Sequence, residues 1–110
     1  MIYEVIVLVD FRRTAKKIVR KHPKFKTDLA RIVKSLKSDP TQGTAIGENR
    51  YKIRVAISGS GRGKSSGVRV YTYVVVRDAV VYLVAMHTKA ERATLKDQEI
   101  NTILRKAGLD

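Results

Sequence analysis

The sequence predicts an α+β protein with element order β-α-α-β-β-β-α: a small, mainly antiparallel curved sheet with an N-terminal αα-hairpin and a C-terminal helix. Three observations predict it. Apolar residues recur at helical spacing across 11–36, alternate with period two across 50–57, and return to helical spacing after Thr94. A chain of 110 residues suits one compact domain, taken as 1–110, and leaves no room for a second core.

The elements follow in order. Ile2 to Val9 is rich in β-branched residues with little polar alternation, which predicts a strand covered on both faces. Its start differs from a signal peptide, since it has no basic leader and carries Glu4 within a short apolar run. Asp10 is a candidate N-cap for a helix whose stripe is Phe11, Ala15, Ile18 and Val19, with Arg and Lys over the rest of its surface. Pro23 ends it, and a second stripe at Phe25, Leu29, Ile32, Val33 and Leu36 runs to the stop at Asp39-Pro40.

Thr41 to Asn49, with Gly43 and Gly47, reads as a loop. The run RYKIRVAI from Arg50 has the alternation of a half-buried strand. VRVYTYVVV from Val68 and the run Val80 to His87 give two more strands, with a turn at Arg77-Asp78, so the three form an antiparallel meander. Thr94 with Asp97 reads as a capping box ahead of Leu95, Ile100, Ile103, Leu104 and Ala107, a helix that stops near Gly108.

Charge narrows the function. There are 23 Lys and Arg against 10 Asp and Glu, a formal net charge of +13, which points to a polyanionic partner. Two intervals hold no acidic residue, one between Asp10 and Asp28 and one between Glu48 and Asp78. A run of charge is usually a solvated face, but clustering on this scale favours nucleic acid. Cysteine is absent and only His22 and His87 are present, so thiolate and multi-histidine metal sites are not expected, and a reducing cytoplasm suits the chain.

Ser58 to Gly67, SGSGRGKSSG, comes within one residue of a phosphate-binding loop: Gly63-Lys64-Ser65 is preceded at the critical position by Ser58 where a glycine is needed. Such loops aim backbone N–H groups from the start of a following helix, whereas Val68 onward reads as a strand. No nucleotide cofactor is expected. The stretch reads instead as a basic connection carrying Arg62 and Lys64.

The runs PTQGTAIGENRYKIRVAI, GRGKSSGVRVYTYVVV and VVYLVAMHTKAE resemble the RelE/HigB superfamily of type II toxins, and GKSSGVR looks like a loop of the HigB-like branch. The resemblance spans nearly the whole chain. It implies a cytoplasmic, metal-independent endoribonuclease that cleaves mRNA on the ribosome, needs no cofactor, is not held in a membrane, and is silenced by a cognate antitoxin protein. The alternative is a catalytically weak or inactive relative serving as a basic RNA-binding module.

The residues suit that chemistry. Lys52 and Arg54 lie two apart on a strand and so share a face at a separation of about 7 Å. Arg69, Tyr71 and Tyr73 share a face of the next strand, and antiparallel pairing brings Arg69 beside the first two. RNA cleavage without a metal needs a base for the 2′-OH, cations for the charge growing on phosphorus, and an acid for the leaving 5′-oxygen. The resemblance implies Lys52 as base, aided by neighbouring positive charge that disfavours a charged lysine, with Arg54 and Arg69 stabilising the phosphorane.

Other assignments stay open. His87 reads either as a structural histidine or as a proton donor. Tyr71 and Tyr73 read equally as base-stacking residues and as ordinary strand aromatics. Lys89 and Arg92 match basic, RNA-contacting positions of the superfamily. Two departures stand out: where RelE has an arginine after the lysine of the terminal segment this chain has Ala90, and where it has a tyrosine in the next stretch this chain has Lys96. The acid step is therefore not transferable.

Overall fold

The computed structural model describes residues 2–58 and 67–109. Its elements are β1 (Glu4–Val7), α1 (Val9–Lys21), α2 (Phe25–Leu36), β2 (Thr44–Gly47), β3 (Arg50–Val55), β4 (Val68–Val75), β5 (Val80–Thr88) and α3 (Asp97–Lys106). The strands form one sheet in the order β1-β5-β4-β3-β2. The meander β3-β4-β5 is antiparallel throughout, while β1 runs parallel to β5 along one edge.

Two apolar layers sandwich the sheet. On one face Phe11, Ile18, Phe25 and Leu36 of the αα-hairpin pack on Ile53, Val55, Val70, Leu83 and Met86. On the other, Ile100 and Leu104 of α3 pack on Tyr71, Val84 and Ala85. The helical stripes of the sequence are thus the buried faces, and burial of this apolar surface is what holds each short helix in place.

Several local expectations are corrected. Val9 and Asp10 belong to α1, whose N-cap is Leu8 with no side-chain cap. Asp10 instead sits in the first turn, where its carboxylate complements the helix dipole and lies 3.9 Å from both Arg13 and Lys106. The segment read as a loop holds the edge strand β2, paired to β3 through Thr44↔Lys52 and Ala45↔Tyr51. It is four residues long and mostly exposed, so it carries no apolar alternation. Asn49, with φ of 59°, turns the chain from β2 into β3. The Thr94–Asp97 capping box is absent: Lys96 is the N-cap of α3, and Glu99 accepts the Lys96 backbone N–H at 3.1 Å.

One irregularity shapes the site. The β4–β5 register pairs Tyr71 with Ala85 but Thr72 with Leu83, which leaves Val84 as an extra residue in β5. This β-bulge reverses the alternation beyond it. Val84 and Ala85 consecutively face the α3 side, and His87 follows Ala85 onto that face.

Candidate functional site

Residues directly opposite in an antiparallel ladder point to the same face, so the register gives the site its rows. Arg54 pairs with Arg69, and Arg69 pairs with His87. The neighbouring row is Lys52, Tyr71 and Ala85. Lys52, Arg54, Arg69, Tyr71 and His87 therefore all lie on the α3-side face across three strands. Arg54 is exposed, Lys52 is half-buried, and Arg69 is buried at 4 % exposure. Like charges directly opposite, as Arg54 and Arg69 are, destabilise a sheet.

Tyr71 and His87 form the inner part of the site. Tyr71 is 1 % exposed and His87 5 %. His87 Nδ1 lies 2.9 Å from the Thr88 carbonyl oxygen, which can only accept, so Nδ1 carries the proton. In the neutral ring Nε2 is then an acceptor, and the Tyr71 hydroxyl donates a hydrogen bond to it at 2.9 Å. The Tyr71 oxygen in turn accepts the Leu95 backbone N–H at 2.9 Å and lies 3.2 Å from Thr94 Oγ1. Lys52 Nζ reaches the same Thr94 oxygen at 3.5 Å, a long contact. Burial, followed by the charges of Arg92 and Arg69, pushes the His87 pKa down against the opposing pull of its Thr88 hydrogen bond and of Glu91.

The remaining expected residues divide. Tyr71 has no exposed ring to offer a base, and what it contributes to the site is its hydroxyl. Tyr73 is half-buried and stacks on Tyr82 with centroids 6.4 Å apart. His87 has both ring nitrogens engaged and is an acceptor toward Tyr71. Arg92 makes a bidentate pair with Glu99 at 2.8 and 2.6 Å and donates to the Thr94 carbonyl at 3.0 Å, tying the segment after β5 to α3. That pairing holds the Glu99 carboxyl below the usual carboxylate range, with help from the Lys96 N–H. Lys89 is exposed, its backbone N–H bonded to the Gly67 carbonyl. Arg62 and Lys64 lie outside the described residues.

Sequence reasoning missed Thr94, whose hydroxyl is taken up in the site, and the Val84 bulge that aims His87. It also missed Asp28, a 7 %-exposed carboxylate of α2 that accepts the Ser58 N–H at 2.8 Å and the Ser58 hydroxyl. A cavity of about 740 Å³ lies elsewhere, beside the C-terminal half of α1 with Lys17, Lys21, His22 and Glu91 in its wall, and none of Lys52, Arg54 or Arg69 lines it. Among the described residues no cluster of three or more His, Asp or Glu is placed to hold a metal ion, and no helix is long and apolar enough to cross a membrane.

No protein-family model matches the sequence, nor does any curated protein. Among solved structures the chain is similar to a mutant of the E. coli toxin RelE in the free state. The TM-score is 0.62 and the identity 14 %, over 97 % of this chain and 98 % of that one. The chain has the RelE-like fold. At that identity the likeness concerns architecture: the helical pair, the mixed sheet and the closing helix coincide over nearly the full length of both chains. Within the RelE-like fold the cationic rows lie on the sheet face against which α3 packs.

Proposed function

We propose that the chain is the toxin of a type II toxin–antitoxin system, a metal-independent and ribosome-dependent endoribonuclease that cuts translated mRNA and so inhibits translation. The observation that carries the reading is the convergence of Lys52, Arg54 and Arg69 on one sheet face. Lys52 takes the 2′-OH proton, and Arg54 with Arg69 balances the charge on the phosphorane. The 5′-oxygen takes its proton from a group other than His87, whose Nε2 accepts from Tyr71. Arg62, Lys64 and Lys89 add phosphate contacts and Tyr73 offers a ring edge to a base. The placement in the HigB-like branch rests on the GRGKSSGVR run alone. A cognate antitoxin of acidic character covers the basic face, and the protein acts in the cytoplasm.

A second reading is a basic RNA-binding module without cleavage. It is favoured by Ala90 and Lys96 at positions where RelE has arginine and tyrosine, and by the burial of Arg69. Primer extension on mRNA from cells expressing the chain separates the two. New 5′ ends within translated regions support the nuclease; growth arrest without new ends supports the module.

A further inference from the structure

The polar groups between Lys52 and His87 have more order than a structural tether requires. The directions of the bonds from Thr88 to Leu95 are fixed by their neighbours. The Thr88 carbonyl fixes the His87 tautomer, the tautomer commits the Tyr71 proton to Nε2, and the Tyr71 oxygen is left as an acceptor for Leu95 and Thr94. Thr94 Oγ1 has one proton. It points either to the Tyr71 oxygen at 3.2 Å or to the Leu95 carbonyl at 3.4 Å, and in both cases its lone pairs stay open to Lys52 Nζ.

We propose that Thr94, Tyr71 and His87 form a positioning relay for Lys52, in which the unprotonated His87 Nε2 draws the Tyr71 proton inward and so keeps the Thr94 oxygen aimed at the lysine. The inference rests on the reading of Lys52 as the base. No member of the relay touches the scissile phosphate; each acts through the next. A neutral hydroxyl holds the amine in place without adding a negative charge beside it, as a carboxylate in the same position would.

Protonating His87 reverses the relay. Nε2 becomes a donor, the Tyr71 proton turns to Thr94 and occupies one lone pair of its oxygen, and the Thr94 proton turns to the Leu95 carbonyl, so one lone pair instead of two is left for Lys52 Nζ; no atom is gained beyond the one proton. The charged groups facing His87 are Arg69 of β4 and Glu91 and Arg92 of the segment after β5, with Lys17 of α1 acting on Glu91. Burial of the ring, and after it the two arginines, oppose the added charge, so the reversed state is reached only in acid.

The test compares wild type, Thr94→Val and Thr94→Ser in a translating extract, with kcat, KM and the pH profile measured for each. Thr94→Val is expected to lower kcat by about 10²-fold, the scale of a misplaced reacting group, with KM unchanged, and to remove the acid limb due to His87. Thr94→Ser is expected to restore both. Wild-type kcat and pH dependence in Thr94→Val would overturn the proposal, as would a loss that serine does not rescue. Nitrogen-15 NMR of the His87 ring and the Lys52 amine supplies a readout without activity. The relay predicts an Nδ1-protonated ring in wild type and a more mobile Lys52 amine in Thr94→Val only. An Nε2-protonated ring, or an equally ordered Lys52 in both proteins, would overturn it. Should wild type cut no RNA, the enzyme reading falls and the relay is judged on these spectra alone.

Discussion

Tyr71 shows how much of the site depends on a single atom. Its oxygen meets His87, Thr94 and the Leu95 amide, so Tyr71→Phe leaves the buried His87 Nε2 and the half-buried Leu95 N–H without this partner. The expected loss is about 1–3 kcal/mol of stability, measurable by urea denaturation. Thr72, one residue on and 2 % exposed, has a hydroxyl with no hydrogen-bond partner among the described residues. Thr72→Val keeps the shape and removes the unpaired group, so it is expected to be neutral or stabilising by up to about 1–2 kcal/mol in the same assay. His87 adds a pH dependence. Its folded pKa lies below the ordinary value of about 6.5, so in acid the unfolded chain binds the extra proton first. Stability falls as pH drops through that value and levels off below the folded pKa; His87→Asn loses this step. A second loss follows at lower pH as Glu91 and Glu99, both held below the usual carboxylate range, become protonated.

At the scale of elements, backbone approach decides what each strand tolerates. A Cβ on Gly67 would lie 2.1 Å from the Val55 carbonyl oxygen, where β4 meets β3. Gly67→Ala therefore forces the two strands apart beside Arg54 and Arg69, an overpacking cost of about 1–3 kcal/mol that thermal melting reads. The helices and the meander were legible because their apolar residues repeat at 3.6 or 2 and burial enforces the repeat. Strand β2 was not, since an exposed edge of four residues needs no apolar partner face. The bulge at Val84 was not either. A β-branched residue inside a β-branched run gives no sign that it is the unpaired one, yet it decides which face receives His87. Thr94 was misread for a related reason: the local pattern is that of a cap, but its hydroxyl is claimed by Tyr71 and Lys52 from distant strands.

Over the whole molecule the governing quantity is the net charge of +13. It was legible from composition alone; that Lys52, Arg54 and Arg69 share a face was legible from residue order, because alternation and antiparallel pairing determine faces. Which of those cations would be covered was not, because burial of Arg69 depends on tertiary packing. If three phosphates are gripped, affinity for short single-stranded RNA falls about 20-fold between 50 and 200 mM salt, and Arg54→Ala lowers the log–log slope by about 0.7. Filter binding across a salt series checks both. The most direct test of the cationic face as an RNA-cutting centre is a purified translation reaction in which cleavage of ribosome-bound mRNA is timed for wild type and for Lys52→Ala/Arg54→Ala. Both substitutions lie at positions that are not fully buried, so the variant should fold. Cutting by wild type and a loss of about 10²-fold or more in the variant is the predicted result. Equal cutting by the two proteins, or binding by wild type that yields no cut, would contradict it.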